Sequence, residues 1–438
     1  MKNFYALLAN SLAAFLSNTF VWFAVTFWVY LETKSVIVTS VMAGIYLGTI
    51  AISGFFLGSL VDRFKKKRVL LLSSSGSLIL FTLACALYST TPAQVFTDPG
   101  SVRLWIFIFL ILMGAIAGNI RGIALSTLVT IMIPEDERDR ANGLVGTSNG
   151  VSFLAASIFS GLGVGLLGMF WVLALAIGLT ALVIVHLWTI PIPDLAATHA
   201  DANTDSIDIR GTIRVIGLVP GLFGLIFFNT FNNFLGGVFM SLMDAYGLLL
   251  VSVEVWGFLW GFLSLAFIVG GFVVAKRGLG ASPLRTLFMA NIAMWTICIF
   301  FTLQSSIVLL TIGMFVWLAL SPVVEASEQT ILQKVIPPER QGRVFGFAQS
   351  VEQAASPITA FMIGPIAELI FIPFMTTGAG VELLGGWFGT GTDRGIALLF
   401  TVTGMIGLVV TLLAMRTLAY RTLSQKYQKH TLVAALSE

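Results

Sequence analysis

Apolar stretches of about 18 to 28 residues recur along this chain, separated by short breaks rich in charge, glycine or proline. As a helix, a stretch of roughly 20 residues crosses the hydrocarbon core of a bilayer, and these show little of the two-residue alternation of an outer-membrane barrel. Cutting at the breaks predicts twelve helical spans near residues 6–31, 36–61, 69–89, 104–131, 143–167, 169–190, 213–243, 251–275, 284–303, 306–334, 344–372 and 395–415. Sparse charge agrees: 24 Lys plus Arg and 21 Asp plus Glu leave 10% of 438 residues charged, where a soluble domain carries roughly 25%. With a mean hydropathy of +0.96, soluble, disordered and collagen-like classes are excluded. The expected fold class is an all-α polytopic membrane protein with 12 transmembrane helices in two pseudo-symmetric six-helix bundles. Its first stretch, starting near Ala6, is longer than the core of a signal peptide and reads as a retained span.

Basic residues fix the expected orientation. With the connections numbered alternately, one side carries 20 Lys and Arg and the other carries Lys34, Arg103 and Arg394, while Arg121 falls inside a span. An excess of that size places both termini on the cytoplasmic side, expected here to be that of a bacterial inner membrane. The polar segment Pro191 to Asp208 divides the spans six and six. Expected units are a bundle at 1–190, a cytoplasmic linker at 191–212, a second bundle at 213–417 and a cytoplasmic tail at 418–438. A duplication supports this division: IPEDERDRANG at 133–143 and IPPERQGRVFG at 336–346 each join a fourth span to a fifth. Aligning Arg140 with Arg343 gives an offset of 203, and aligning Gly58 with Gly271 gives 213.

Between spans two and three runs GSLVDRFKKKR, Gly58 to Arg68. It resembles the signature loop of the major facilitator superfamily, and span count, central loop and duplication extend that resemblance over the whole chain. The run from Pro338 to Gly346, PERQGRVFG, more narrowly resembles the macrolide-efflux type of drug:proton antiporter. The superfamily resemblance implies a loop that ties helix ends together in the outward-facing state, and so implies gating roles for Gly58, Asp62, Arg63, Lys66 and Lys67. The same cluster also reads as a topogenic signal that touches anionic lipid. Lys65 departs from the glycine many members carry, so this turn must form without a positive φ. A second departure is the lack of any proline between Pro134 and Pro191, where drug antiporters commonly place a Gly-Pro pair in span five.

A charge at mid-bilayer costs about 2.5–3.5 kcal/mol on insertion scales unless it faces a cavity or a partner. Arg121, Glu325, Glu328 and Glu352 are therefore the coupling candidates. By helical rise Arg121 lies about 20 Å from Pro134 and Glu325 about 18 Å from Pro337, matching depths in spans four and ten. An Arg121 to Glu325 pairing across a central pathway is expected. Glu325, Glu328 and Gln329 sit at i, i+3 and i+4, and Gln349, Glu352 and Gln353 repeat that spacing, so each helix presents one polar stripe. Carboxylates clustered with poor solvation cannot all ionise cheaply, and at least one is expected to hold a proton near neutral pH. The alternative is that these side chains only bond helix to helix.

In span seven, FFNTFNNFLGG at Phe227 to Gly237 offers Asn229, Asn232 and Asn233 as cavity-lining candidates. Asn18 and Trp22 in span one are offered on the same grounds. Each could instead bond or pack against a neighbouring helix. Glycines at 143, 146, 150, 161, 163 and 165 permit close helix approach in span five. The glycine-rich segment Thr376 to Gly395 is expected at a membrane interface.

No Walker loop is present, and His186, His199 and His430 lack metal-ligand spacing, so no ATP-driven transport, metal or cofactor is expected. Cys85 and Cys298 read as packing residues. The basic loop lacks the aromatic interleaving of a nucleic-acid binder. The resulting expectation is a secondary active transporter and no enzyme: a proton-coupled exporter of amphipathic drugs such as macrolides or lipophilic cations. Its partners would be a small-molecule substrate, protons and membrane lipids, with no nucleic acid, and its working form a monomer. Two alternatives stand beside it: an uptake symporter, lysophospholipid flippase or organic anion transporter on the same fold, and a non-transporting receptor or scaffold.

Overall fold

The computed structural model describes residues 2–133, 138–192, 213–214, 216–336 and 338–437. Its spans are α1 (Lys2–Thr33), α2 (Val36–Arg63), α3 (Lys66–Thr90), α4 (Val102–Met132), α5 (Arg138–Leu162) and α6 (Met169–Thr189). They continue as α7 (Leu222–Leu250), α8 (Val253–Arg277), α9 (Pro283–Phe300) and α10 (Ile307–Val335). The eleventh, α11, starts as Pro338–Gln353 and runs on through Ala355–Ile366 to Ile372–Thr376, and α12 covers Thr392–Arg416. Ten of these helices are long and apolar enough to cross a membrane, and α2 and α4 add the shorter apolar stretches Val36–Ile50 and Val102–Gly118. No strand occurs among the described residues.

Helix starts follow local chemistry. Ser101, Ser282 and Ser306 accept hydrogen bonds from the backbone N–H groups of Leu104, Arg285 and Leu309, capping α4, α9 and α10. Lys65 opens α3 at φ −54°, so the basic turn forms without a left-handed residue. Proline punctuates the second half: Pro322 lies inside α10, and Pro365 precedes a π-helical turn at Ala367–Phe371 in α11. The predicted seventh span begins later than expected, at Leu222, because residues 218–221 form turns and Gly221 takes φ +86°.

The chain forms two compact units, Met1–Thr204 with Gly247–Ser264, and Asp205–Tyr246 with Leu265–Glu438. The first half of α8 thus groups with the first six spans. The reason is a close helix approach: a Cβ at Gly161 of α5 would lie 2.5 Å from the Val253 carbonyl oxygen and 3.1 Å from the Gly257 Cα. Within the first unit α1 packs on α4, α5 and α6, and α3 packs on α4. Trp28 sits edge-on to Tyr88, Phe96 and Phe107, with ring centroids 5.2–5.6 Å apart.

In the second unit, Leu222, Leu225, Leu287, Ile331 and Val335 share a buried core with Leu423. Leu423 belongs to a further helix, α13 (Leu418–Ser437), where a tail was expected. Lys334 places its Nζ 4.4 Å from the centroid of the Tyr427 ring and fastens that helix to the end of α10.

Candidate functional site

Three spans of the second unit bring polar groups together in an otherwise apolar setting. The Glu328 carboxyl of α10 interacts with the Glu352 carboxyl of α11, and the Asn229 amide of α7 interacts with both. Asn229 is 5% exposed and Glu352 is 8% exposed. The amide N–H of Asn229 is directed at the two carboxyls and is their hydrogen-bond donor from α7. Glu325, one turn earlier on α10, is exposed and near enough for its charge to act on Glu328. Gln329, Gln349 and Gln353 are also exposed, so each stripe runs from a buried carboxyl to an open side. Pro322, one turn before Glu325, has no N–H to give the helix ladder of α10.

Arg121 occupies a different setting in the first unit. It is 4% exposed and donates to Asn10 Oδ1 at 2.8 Å, Ser11 Oγ at 3.3 Å and Ser74 Oγ at 2.8 Å. All three acceptors are neutral and lie on α1 and α3. The expected pairing with Glu325 is not among these bonds: the guanidinium is held inside its own unit. Asn10 extends the network, with Nδ2 2.8 Å from the Val183 carbonyl oxygen and 3.3 Å from His186 Nδ1 on α6.

The remaining candidates divide. Asn232 is fully engaged, donating to the Phe228 carbonyl at 2.8 Å and accepting from Trp295 Nε1 at 2.7 Å, so it braces α7 against α9. The Asn233 carbonyl accepts from Ser356 Oγ at 3.2 Å. Asn18 lies against Gly118, where a Cβ would collide with its amide, and Trp22 stacks on Tyr46 with centroids 3.8 Å apart. In the basic loop, Lys67 Nζ donates to the carbonyls of Trp188 and Ile190 at 3.0 and 2.8 Å, meeting the free carbonyls at the end of α6. Lys66 is half-buried. The surroundings of Gly58, Gly143 and Gly146, the side chains of Asp62 and Arg63, and the segment 193–212 lie outside what the structure describes.

The sequence profile of the Major Facilitator Superfamily matches residues 7–360. The chain belongs to that superfamily. Among solved structures, the nucleoside transporter NupG superposes with a TM-score of 0.71 at 13% identity, covering 95% of this chain and 100% of its own. A bacterial homologue of the human lysosomal transporter Spinster gives 0.68 at 16% identity, covering 97% and 98%. A peptide transporter, POT, with sulfate bound gives 0.62 at 15% identity, covering 95% of each. At these identities the likeness is one of fold. A search of curated protein sequences returns no match. Major facilitator proteins are multi-pass membrane transporters of small molecules, typically monomeric, and are not enzymes.

One residue of this major facilitator chain was read only as a loop charge. Arg394, at the start of α12, is 2% exposed and bonds Asp393 Oδ2 at 3.1 Å, the Thr302, Leu303 and Phe388 carbonyls, and the Tyr246 hydroxyl at 2.7 Å. Its guanidinium carbon also sits 5.0 Å from the Phe388 ring centroid. Gly389 and Gly391, at φ +86° and +128°, turn the preceding segment back over it. Two glycines flanking an Asp-Arg pair at the mouth of a span were the available signal.

Proposed function

We propose that this chain is a proton-coupled exporter of amphipathic compounds, macrolides or lipophilic cations, working by alternating access. The observation that carries the reading is the contact between the Glu328 and Glu352 carboxyls, with Asn229 beside both. Two carboxylates in contact at low dielectric cannot both stay charged cheaply, and they titrate as one coupled pair. Such a pair takes up one proton, or gives it up when a cation arrives. Proton entry and cation exit then compete for one site, which is the requirement for exchange. Export as the direction of transport rests on the likeness of Pro338–Gly346 to macrolide exporters, and the inward position of both termini on the distribution of basic residues. Gly58, Asp62, Arg63, Lys66 and Lys67 would act as the gate, with Lys67 already joining α3 to the end of α6.

The test is transport in vesicles under an inward-acid gradient, with a panel of lipophilic cations, macrolides and tetracyclines. Gradient-driven movement that vanishes in a Glu328→Gln, Glu352→Gln double variant supports the reading. Equal movement by the double variant overturns it.

A second reading is favoured by Arg121, whose recorded partners are neutral oxygens, so its positive charge stays available to a substrate carboxylate or phosphate. That reading makes the chain an uptake symporter, lysophospholipid flippase or organic anion transporter. Arg121→Gln then abolishes anion movement and spares neutral drugs.

A further inference from the structure

Four arginines of the second unit share one setting. Arg214 stands one turn before Leu218, Arg285 one turn before Met289, Arg416 one turn after Leu412 and Leu413, and Arg421 one turn after Leu418. Each arginine is exposed and so is its apolar neighbour, with Leu218 71% and Leu418 75% open. Residues three or four apart lie on one helix face, so in each case a guanidinium ends an outward apolar stripe. On a chain that crosses a bilayer, that is the step from hydrocarbon to headgroup.

The four arginines belong to one end of the unit. Ile216 and Val219 before α7, Leu284 and Phe288 at the start of α9 and Leu423 of α13 share a single core, and the Phe288 ring meets the Tyr420 ring edge-on at 5.0 Å. Arg416 and Arg421 flank the joint between α12 and α13. Gly221, at φ +86°, lets the entry to α7 close on the Ala419 carbonyl, leaving no room for a Cβ. The opposite end of α12 is built differently, because Arg394 there is buried and bonded to protein oxygens throughout. None of the four exposed arginines donates a side-chain bond to a protein oxygen among the described residues.

We infer that this seam, formed by the entry to α7, the start of α9 and the α12–α13 joint, binds the anionic phospholipid headgroups of the surrounding bilayer. A phosphodiester accepts two parallel N–H bonds from a guanidinium, which an ammonium cannot offer. Acyl chains then lie along Met289, Leu412 and Leu413, continuous with the headgroup contact. A zwitterionic headgroup carries the same phosphate but its own cation opposes the arginines, so the seam favours net negative lipid. Since Leu423 shares its core with Ile331 and Val335 of α10, bound lipid holds α13 and α10 together and stabilises the unit. The inference stands apart from the cation-site reading above.

The experiment follows thermal unfolding of the full chain in uncharged detergent micelles doped with phosphatidylglycerol or with phosphatidylcholine of the same chains. Wild type is expected to gain a higher midpoint with phosphatidylglycerol than with phosphatidylcholine. The phosphatidylglycerol concentration that gives half the shift should rise about fivefold for each of Arg285, Arg416 and Arg421 replaced by Gln. Arg103→Gln, at the start of α4, should leave the shift intact. Equal midpoints with the two lipids in wild type overturn the inference, as does a full shift in the triple Gln variant. An equal shift with inorganic pyrophosphate alone also overturns it, because the seam then takes a soluble anion. Photo-crosslinking of wild type, which needs no variant to fold, locates the site: phosphatidylglycerol with a diazirine beside its headgroup should label 283–289 and 416–427. Labelling confined to other segments would count against the seam.

Discussion

Arg121 donates to Asn10 across 2.8 Å, and the same asparagine holds the Val183 carbonyl at 2.8 Å, so one amide ties α4 to α1 and α6. A guanidinium this deeply buried depends on its acceptors. Asn10→Leu removes one and leaves a charged donor unmatched, which costs about 1.5–3 kcal/mol. The expected outcome is a lowered thermal midpoint for the purified protein, with Asn10→Asp affected less because it keeps an acceptor. An unchanged midpoint in Asn10→Leu would show that the network carries no weight.

Arg394 offers a sharper version of the same test in the second unit. It serves acceptors on α7, α12, the 301–306 connection and the segment before α12. Lysine keeps the charge but cannot reproduce the planar fork. Arg394→Lys should therefore destabilise nearly as much as Arg394→Ala, by about 2 kcal/mol or more, read by thermal unfolding in detergent. A well-folded lysine variant would mean that charge alone matters there.

Two glycines of α5 separate packing from propensity. A Cβ at Gly161 meets the backbone of α8, whereas nothing lies within 4 Å of one at Gly150. Gly161→Ala should lower the yield of folded protein and the thermal midpoint. Gly150→Ala should be neutral or stabilising by up to about 1 kcal/mol, the helix propensity difference. Comparing the two midpoints checks the prediction, and equal effects would refute it.

Lys67 completes the end of α6 rather than pointing freely into water. Lys67→Met should cost about 1 kcal/mol by removing the donor for two free carbonyls, and protease cleavage near Ile190 should quicken. Lys67→Arg retains a donor and should restore protection.

Most of the fold was legible because lipid imposes a crude rule that sequence reports directly: about 20 apolar residues, then a break. The ends of α3, α6 and α9 fall within a few residues of their expected limits. Glu328 and Glu352 were legible for a related reason, since a carboxylate among apolar residues at i+3 or i+4 spacing marks a polar stripe. What brings them together was not. Asn229 is one of three asparagines within five residues, and only packing separates it, buried beside Glu328 and Glu352, from Asn232, which is locked to Trp295. The partners of Arg121 were hidden because Asn10, Ser11 and Ser74 are small polar residues scattered in apolar helices, with no periodic signature. Arg394 was misjudged because burial there depends on a loop folding back, which hydropathy does not encode. The basic-loop expectation for Asp62 and Arg63 concerns side chains outside the described residues.

The central claim is that a proton and a cation compete for the Glu328–Glu352 pair. Its most direct measurement is proton release into weakly buffered detergent solution at neutral pH when a lipophilic cation is added to the full-length protein. The account predicts release approaching about one proton per cation bound in wild type and none in the Glu328→Gln, Glu352→Gln variant. Saturable cation binding by wild type with no proton released would contradict it.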